Sequence, residues 1–291
     1  MHIPVLLKEV VEYLPIPHGG VLLDGTIGEG GHSLAIAKAT GGQMTILGID
    51  RDKDALLRSQ NVLSVVPCKT IYKEGNYRDY KKFMEEEGIA QVDGFLLDLG
   101  YSSNQIDAGA RGFSFQTDEP LLMTYEVIPK DGEMTAEYIV NHWDRENLVT
   151  IIRNYGEEKH AKRIADAIVD ARGKNQIRTS RQLSEIIERA IRRRGKVHPA
   201  TKTFQALRIA VNDELGSLRR TLEDVNEILR PKGRIAVISF HSLEDRIVKE
   251  FGRDNLDKFR PIFKKPVVAG DEEVTANPRS RSAKLRVYEK I

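Results

Sequence analysis

Apolar positions recur along this chain with two different periods, and the change of period marks its organisation. Up to Asp107 they come as short continuous runs, at 21–24, 45–50, 68–72 and 92–98, the pattern of buried strands. The third run ends near Asn76 and Tyr77, and the other three end in the acids Asp24, Asp50 and Asp98. From about Thr135 to Arg194 the spacing turns helical, with Leu148, Ile151, Ile152 and Tyr155 in one segment and Ile164, Ile168 and Val169 in the next. Leu183, Ile186, Ile187 and Ile191 mark a third helix, and Thr179 with Gln182 predicts a capping box at its start. A further helix is expected over 203–229, ending at Arg230-Pro231, and strand signals return only at 233–240. The fold class is therefore α/β, with an α-helical module inserted between the fourth and fifth strands. Residues 1–107 and 203–291 form the discontinuous sheet domain and 108–202 the insertion, which is expected to hang over the strand ends as a substrate-facing wall. No internal repeat or low-complexity tract is apparent.

Residues 21–33 read as a buried strand, a glycine-dense turn and a helix start in immediate succession. Glycines such as Gly28, Gly30 and Gly31 let the backbone take positive φ and let a ligand approach the main chain without meeting a Cβ. A dinucleotide fingerprint wants a third glycine where Ser33 stands, and needs no acid where Asp24 stands. S-adenosylmethionine accounts for both. It carries no phosphate, so the loop need only make room for methionine and ribose, while the Asp24 carboxylate can hold the positively charged methionyl end. Asp50 lies about where a ribose-binding acid sits in doubly wound folds, which makes it the expected ribose ligand. For the loop alone a structural turn is the alternative reading, and for Asp50 a solvated strand end. Ligands of open α/β sheets bind beyond the carboxyl ends of the strands, so Asp24, Asp50, Tyr77 and Asp98 point at one crevice.

At 291 residues the chain can hold more than one compact unit. Its single cysteine, Cys68, excludes an internal disulfide and a cysteine-built zinc site. His32 and His241 have no ligand-spaced partner, so no metal is expected. There is no run long enough for a membrane span and no signal-peptide layout at the start, which predicts a cytoplasmic protein. With 45 Lys and Arg against 43 Asp and Glu, net charge is only +2, so clustering matters more than the total. One basic cluster is Arg189, Arg192, Arg193, Arg194, Lys196 and Lys202. The other is the tail at 277–286, with Arg279, Arg281, Lys284 and Arg286. Either can be a solvated face. Two together on a methyl-transfer scaffold favour contact with RNA phosphates.

The chain resembles the MraW family of bacterial ribosomal RNA small-subunit methyltransferases H over nearly its whole length. The resemblance rests on His2-Ile3-Pro4-Val5-Leu6, the loop from Asp24 to Ser33, Asp98-Leu99-Gly100-Tyr101-Ser102-Ser103-Asn104-Gln105 and Arg111-Gly112-Phe113-Ser114-Phe115. It also rests on the run from His198 to Arg208, on Ser239-Phe240-His241-Ser242-Leu243-Glu244-Asp245-Arg246 and on Asn277-Pro278-Arg279. It implies a class I S-adenosylmethionine methyltransferase with a Rossmann-like sheet, acting on the exocyclic N4 amine of a decoding-centre (P-site) cytidine in 16S rRNA. Cofactor contacts carry over to Gly30, Gly31, His32, Asp50, Asp98 and Gln105, with Tyr77 matching an aromatic position. The implied partner is 16S rRNA within the small ribosomal subunit, and a homodimer is left open. Two departures stand out. Leu122 and Thr124 replace an acid and an arginine usual in the family, and Tyr101 replaces a small aliphatic residue, either to stack on the target base or as a neutral substitution.

The chemistry can be argued from the residues. A cytosine amine is a poor nucleophile because its lone pair is delocalised into the ring, so it must be held in line by acceptors aimed at its hydrogens. Asp98 and the Leu99 carbonyl are expected there. His241, at the end of the fifth strand, is either a base that removes the proton or a structural histidine. The base must be splayed out and stacked, and Tyr101, Phe113, Phe115 and Phe204 are the candidates, against core packing. Two rivals remain at this stage: a nicotinamide oxidoreductase, disfavoured by Asp24 and Ser33, and a non-catalytic RNA-binding protein that keeps the pocket, suggested by Leu122 and Thr124.

Overall fold

The computed structural model describes residues 3–100, 110–126, 132, 134–191 and 198–291. The chain divides into two compact units, Met1–Gly100 with Leu215–Ile291, and Tyr101–Glu214. The first is Rossmann-like. After α1 (Leu7–Tyr13), strands β1 (Gly20–Asp24), β2 (Met44–Asp50), β3 (Lys69–Glu74) and β4 (Val92–Asp98) alternate with α2 (Gly31–Ala39), α3 (Lys53–Leu63) and α4 (Tyr80–Glu86). The seven strands run in the order β3-β2-β1-β4-β5-β7-β6. β1 pairs in parallel with both β2 and β4, so the strand order reverses there, where open α/β sheets hold their ligands. Leu22, Leu23, Ile46, Leu47, Phe95 and Leu96 are fully buried in these strands. Each such side chain is worth about 1.5–3 kcal/mol when removed from water.

The C-terminal part of the chain departs from expectation in three ways. The helix anticipated over 203–229 is three helices, α9 (Thr201–Asn212), α10 (Glu214–Glu223) and α11 (Val225–Ile228). Asp213 breaks it in the left-handed region at φ 48°, a conformation that Asp tolerates better than most residues. β5 (Leu229–Ser239) starts earlier than expected, because Pro231 sits in a bulge: Leu229 pairs with Val92, and pairing resumes only at Arg234 with Gly94. After α12 (Ser242–Asp254), two strands appear that were not anticipated, β6 (Phe259–Pro261) and β7 (Lys284–Lys290), with α13 (Asp271–Ala276) between them. β7 lies antiparallel between β5 and β6, so the end of the supposed basic tail, from Lys284, is sheet.

The helical unit contains α5 (Ala136–His142), α6 (Arg145–Asn154), α7 (Ala161–Arg172), α8 (Ser180–Ile191) and α9. Leu148, Ile152, Ile164, Ile168, Leu183 and Ile187 join one core with Leu207 of α9, whose register therefore belongs to this unit. The capping box is present: Gln182 N–H donates to Thr179 Oγ1 at 3.3 Å and Thr179 N–H to Gln182 Oε1 at 3.2 Å. Phe204 is 5% exposed in this core; Phe115 packs edge-on against it and stacks on the His198 ring at 4.3 Å. Phe113 stacks on Tyr125 at 5.9 Å. Thr124 is buried, with its hydroxyl donating to the Glu126 carbonyl. Among the described residues no helix is long and apolar enough to cross a membrane.

Candidate active site

β1 ends at Asp24, which is almost wholly buried. One carboxylate oxygen accepts from the Ser33 hydroxyl at 2.6 Å and the other from Thr26 N–H at 3.2 Å. This explains Ser33: the serine fastens the first turn of α2 to the end of the strand. Burial pushes the Asp24 carboxyl up to about 6, against the pull of Ser33, His32 and Thr26. The acid expected to meet the cofactor's methionyl end is thus already engaged by its own loop.

The loop is pinned to its neighbours through the main chain. Gly25 N–H donates to the Leu96 carbonyl at 2.9 Å, Ile27 N–H to the Ile49 carbonyl at 3.0 Å, and Gly28 N–H to Asp50 Oδ2 at 2.9 Å. Gly28 and Gly30 have φ of 52° and 79°, which glycine adopts without penalty. At Gly31 a Cβ would lie 2.5 Å from the Pro4 ring, so the N-terminal segment packs on the turn. Gly30 caps α2 with no side-chain hydrogen bond, and the first amides of a helix have no carbonyl within the helix to bond.

The flanking acids come from the adjacent strands. Asp50 at the end of β2 also accepts from Asp52 N–H at 2.9 Å, and Asp52 in turn caps α3 through Asp54 and Ala55. Burial raises the Asp50 carboxyl to about 6, although the backbone donors of Asp52 and Gly28 oppose it. Asp98 at the end of β4 donates its N–H to Thr26 Oγ1 at 2.7 Å and remains partly exposed, with its side chain 19% accessible. Tyr77 opens the 3-10 turn Tyr77–Asp79 after β3, and its Cβ lies where a side chain at Gly25 would be. Asp24, Gly28, Gly30, Gly31, His32, Asp50, Tyr77 and Asp98 therefore share one edge of the sheet.

His32 is buried, its Nε2 at 2.8 Å from the Val5 carbonyl and its Nδ1 at 3.7 Å from Asp98 Oδ2. The segment carrying Val5 is tied down from the far end of the chain. Glu273 of α13 accepts from Leu6 N–H at 2.7 Å, and the Asn277 amide donates to the Ile3 carbonyl at 3.0 Å. Pro4, Val5, Thr26 and Glu273 had no anticipated role. Only the opening motif and Asn277-Pro278-Arg279 signalled that both termini matter.

His241 stands at the end of the next strand, β5, as the N-cap of α12. Its Nδ1 accepts from Glu244 N–H at 3.4 Å, and its Nε2 lies 3.2 Å from Glu244 Oε1. The buried Glu244 carboxylate accepts from Phe240 N–H at 2.9 Å and His241 N–H at 3.2 Å, completing a capping box.

The basic residues are dispersed by comparison. Lys284 and Arg286 are paired with Asp245 at 3.2 and 2.8 Å. Arg279 and Arg281 lie in the 3-10 turn Pro278–Ser282, Arg281 exposed, and Lys202 is exposed while donating to the Glu157 carbonyl at 2.8 Å. Tyr101, Gln105, Arg192, Arg193, Arg194 and Lys196 lie outside the described residues.

The edge suits S-adenosylmethionine. An uncapped, glycine-lined helix start meets one strand-end acid beside the turn and another across it. The model of the MraW methylase family matches residues 1–291. "Ribosomal RNA small subunit methyltransferase H" of Deinococcus deserti is 48% identical over 292 residues, covering 100% of this chain and 94% of that protein. The protein of the same name from Geobacter sulfurreducens is 46% identical over 310 residues, covering 100% and 99%. With a family match running its full length and the glycine loop built as described, the chain belongs to the MraW methylase family, S-adenosylmethionine-dependent methyltransferases.

Proposed function

We propose that this protein transfers a methyl group to the exocyclic N4 amine of a cytidine at the decoding centre of 16S rRNA. The observation that carries the reading is the convergence, at the reversal of strand order, of an uncapped glycine turn with Asp50 and Asp98. The names of its relatives, which are ribosomal RNA small-subunit methyltransferases, support the substrate.

Each residue has a separate task in this reading. Bound S-adenosylmethionine supplies an electrophilic methyl on its sulfonium. Asp50 accepts the ribose hydroxyls, and the amides of Gly30, Gly31 and His32 line the side where the methionine moiety lies. Asp98 accepts from the target amine, so that its lone pair turns out of conjugation and toward the methyl. The same carboxylate stabilises the positive charge that develops on nitrogen as the new bond forms. Leu99 offers its carbonyl to the second hydrogen. Arg192, Arg193, Arg194, Lys196, Lys202, Arg279 and Arg281 are assigned to the RNA backbone, where each phosphate contact adds salt-dependent affinity. His241 keeps the helix-capping role that its contacts with Glu244 describe.

Transfer of isotopically labelled methyl to small-subunit RNA or particles, followed by nucleoside mass spectrometry, tests the acceptor atom. N4-methylated cytidine is the expected product. Asp98→Asn keeps an acceptor oxygen and Asp98→Ala keeps none, so activity should fall in that order while cofactor binding is followed separately. A methyl on ring carbon, on ribose or on adenine would overturn the acceptor, and a fully active Asp98→Ala would overturn the role of Asp98.

A further inference from the structure

His32 and Asp98 face each other at the glycine turn with an arrangement that fixes where a proton can go. The Val5 carbonyl can only accept, so the 2.8 Å contact places a hydrogen on His32 Nε2. A neutral ring then carries its lone pair on Nδ1, which lies 3.7 Å from Asp98 Oδ2. That is longer than a hydrogen bond, so a proton passes between them only once the carboxylate and the ring close up.

We propose that His32 is the proton-accepting partner of Asp98, receiving through that carboxylate the proton that the target amine loses. This deepens the assignment of Asp98 and rests on it. As the carbon–sulfur bond of the donor breaks, its electron pair stays on sulfur, and the amine lone pair forms the new nitrogen–carbon bond. One N–H bond of the methylated amine then breaks, leaving its electrons on nitrogen. The proton passes to Asp98 and on to His32 Nδ1, giving an imidazolium beside a carboxylate.

The surroundings suit a transient acceptor. The Val5 carbonyl, Asp24 of β1 and Glu273 of α13 favour the cation, and Asp98 of β4 stands 3.7 Å from Nδ1. Burial opposes it more strongly and holds the His32 pKa below its ordinary value, so the ring rests neutral and empty at Nδ1. His241 is less suited, because its Nδ1 accepts from Glu244 N–H and its Nε2 faces the carboxylate of that residue.

His32→Gln is the informative variant, because its side-chain amide can still donate to Val5 while nothing replaces Nδ1. Methyl transfer at saturating cofactor should drop about 10²-fold, the scale of general-base contributions, with cofactor affinity titrated in parallel so that the rate is read at saturation. The acid limb of the log rate against pH should also move, since the wild-type limb includes protonation of His32. An unaltered rate, or a drop with the limb unmoved, would overturn the proposal. Nitrogen NMR of the wild-type histidine ring gives a second readout that needs neither substrate nor a folded variant. At neutral pH it should show Nε2 protonated and Nδ1 bare. An Nδ1–H tautomer or a resting imidazolium would overturn the proposal, whatever the outcome at cytidine N4.

Discussion

Two turns in the same sheet carry a strand into a helix, and they treat their helix-start amides in opposite ways. After β1, Gly30 caps α2 with no side chain, and the loop's carboxylates hold Thr26, Gly28 and Ser33 rather than the first amides of the helix. After β5, His241 and Glu244 close the start of α12 on itself. In the proposed reading the first turn offers the Gly31 and His32 amides to the cofactor, those of Gly28 and Gly30 being bonded to Asp50 and the Ile27 carbonyl, whereas the second turn has absorbed its own. A buried acid at a helix start is thus no sign of a site by itself; what distinguishes the two is whether the protein's own side chains already occupy the donors.

The sharpest way to break this contrast is at Asp50, which serves both the loop and the expected ribose. Asp50→Ala should weaken S-adenosylmethionine binding by roughly 1.5–3 kcal/mol, the scale for charged hydrogen bonds, as read by calorimetric titration. Unchanged affinity would remove the ribose assignment.

The wild-type protein should show a related pH dependence. Because burial raises the Asp50 carboxyl to about 6, above its unfolded value, ionising it costs the free protein stability as pH rises through that region. A ribose hydroxyl donating to the charged oxygen offsets part of that cost. Cofactor affinity should therefore fall as pH is lowered through about 6, and Asp50→Asn should flatten the dependence.

The closed turn should respond in stability alone. Glu244→Gln exchanges a charged acceptor for a neutral one at the Phe240 and His241 amides, a loss of about 1 kcal/mol. Thermal unfolding should register it, while the cofactor titration stays as in wild type. A weakened titration would make the β5 turn part of the pocket.

The open turn was legible in the sequence because its signals are local. Val21-Leu22-Leu23 is an uninterrupted apolar run, Asp24 stops it, and the glycines follow at once. The reason for Ser33 was not legible, since its bond to Asp24 joins residues whose relation depends on how the turn folds. His241 read as a base or, as a lone histidine more often is, a structural residue, and the contacts of both its ring nitrogens with Glu244 depend on how the β5 turn folds. β7 was hidden by its charges. Lys284 and Arg286 look like an RNA-binding tail, but Asp245 on α12 partners both, so a strand with Leu285, Val287 and Tyr288 buried could still enter the sheet. The break at Asp213 carries neither glycine nor proline to announce it. Leu122 and Thr124 are conspicuous in sequence, yet Thr124 is a buried residue bonded within its own unit.

Backbone amide NMR during a titration with S-adenosylmethionine tests the account most directly, because it reads both turns in one experiment. The amides of Gly28, Gly30, Gly31 and His32 should shift with saturation, while those from Phe240 to Glu244 stay in place. Shifts confined to the β5 turn, or none at Gly28 to His32, would contradict the assignment of the open glycine turn as the methyl donor's site.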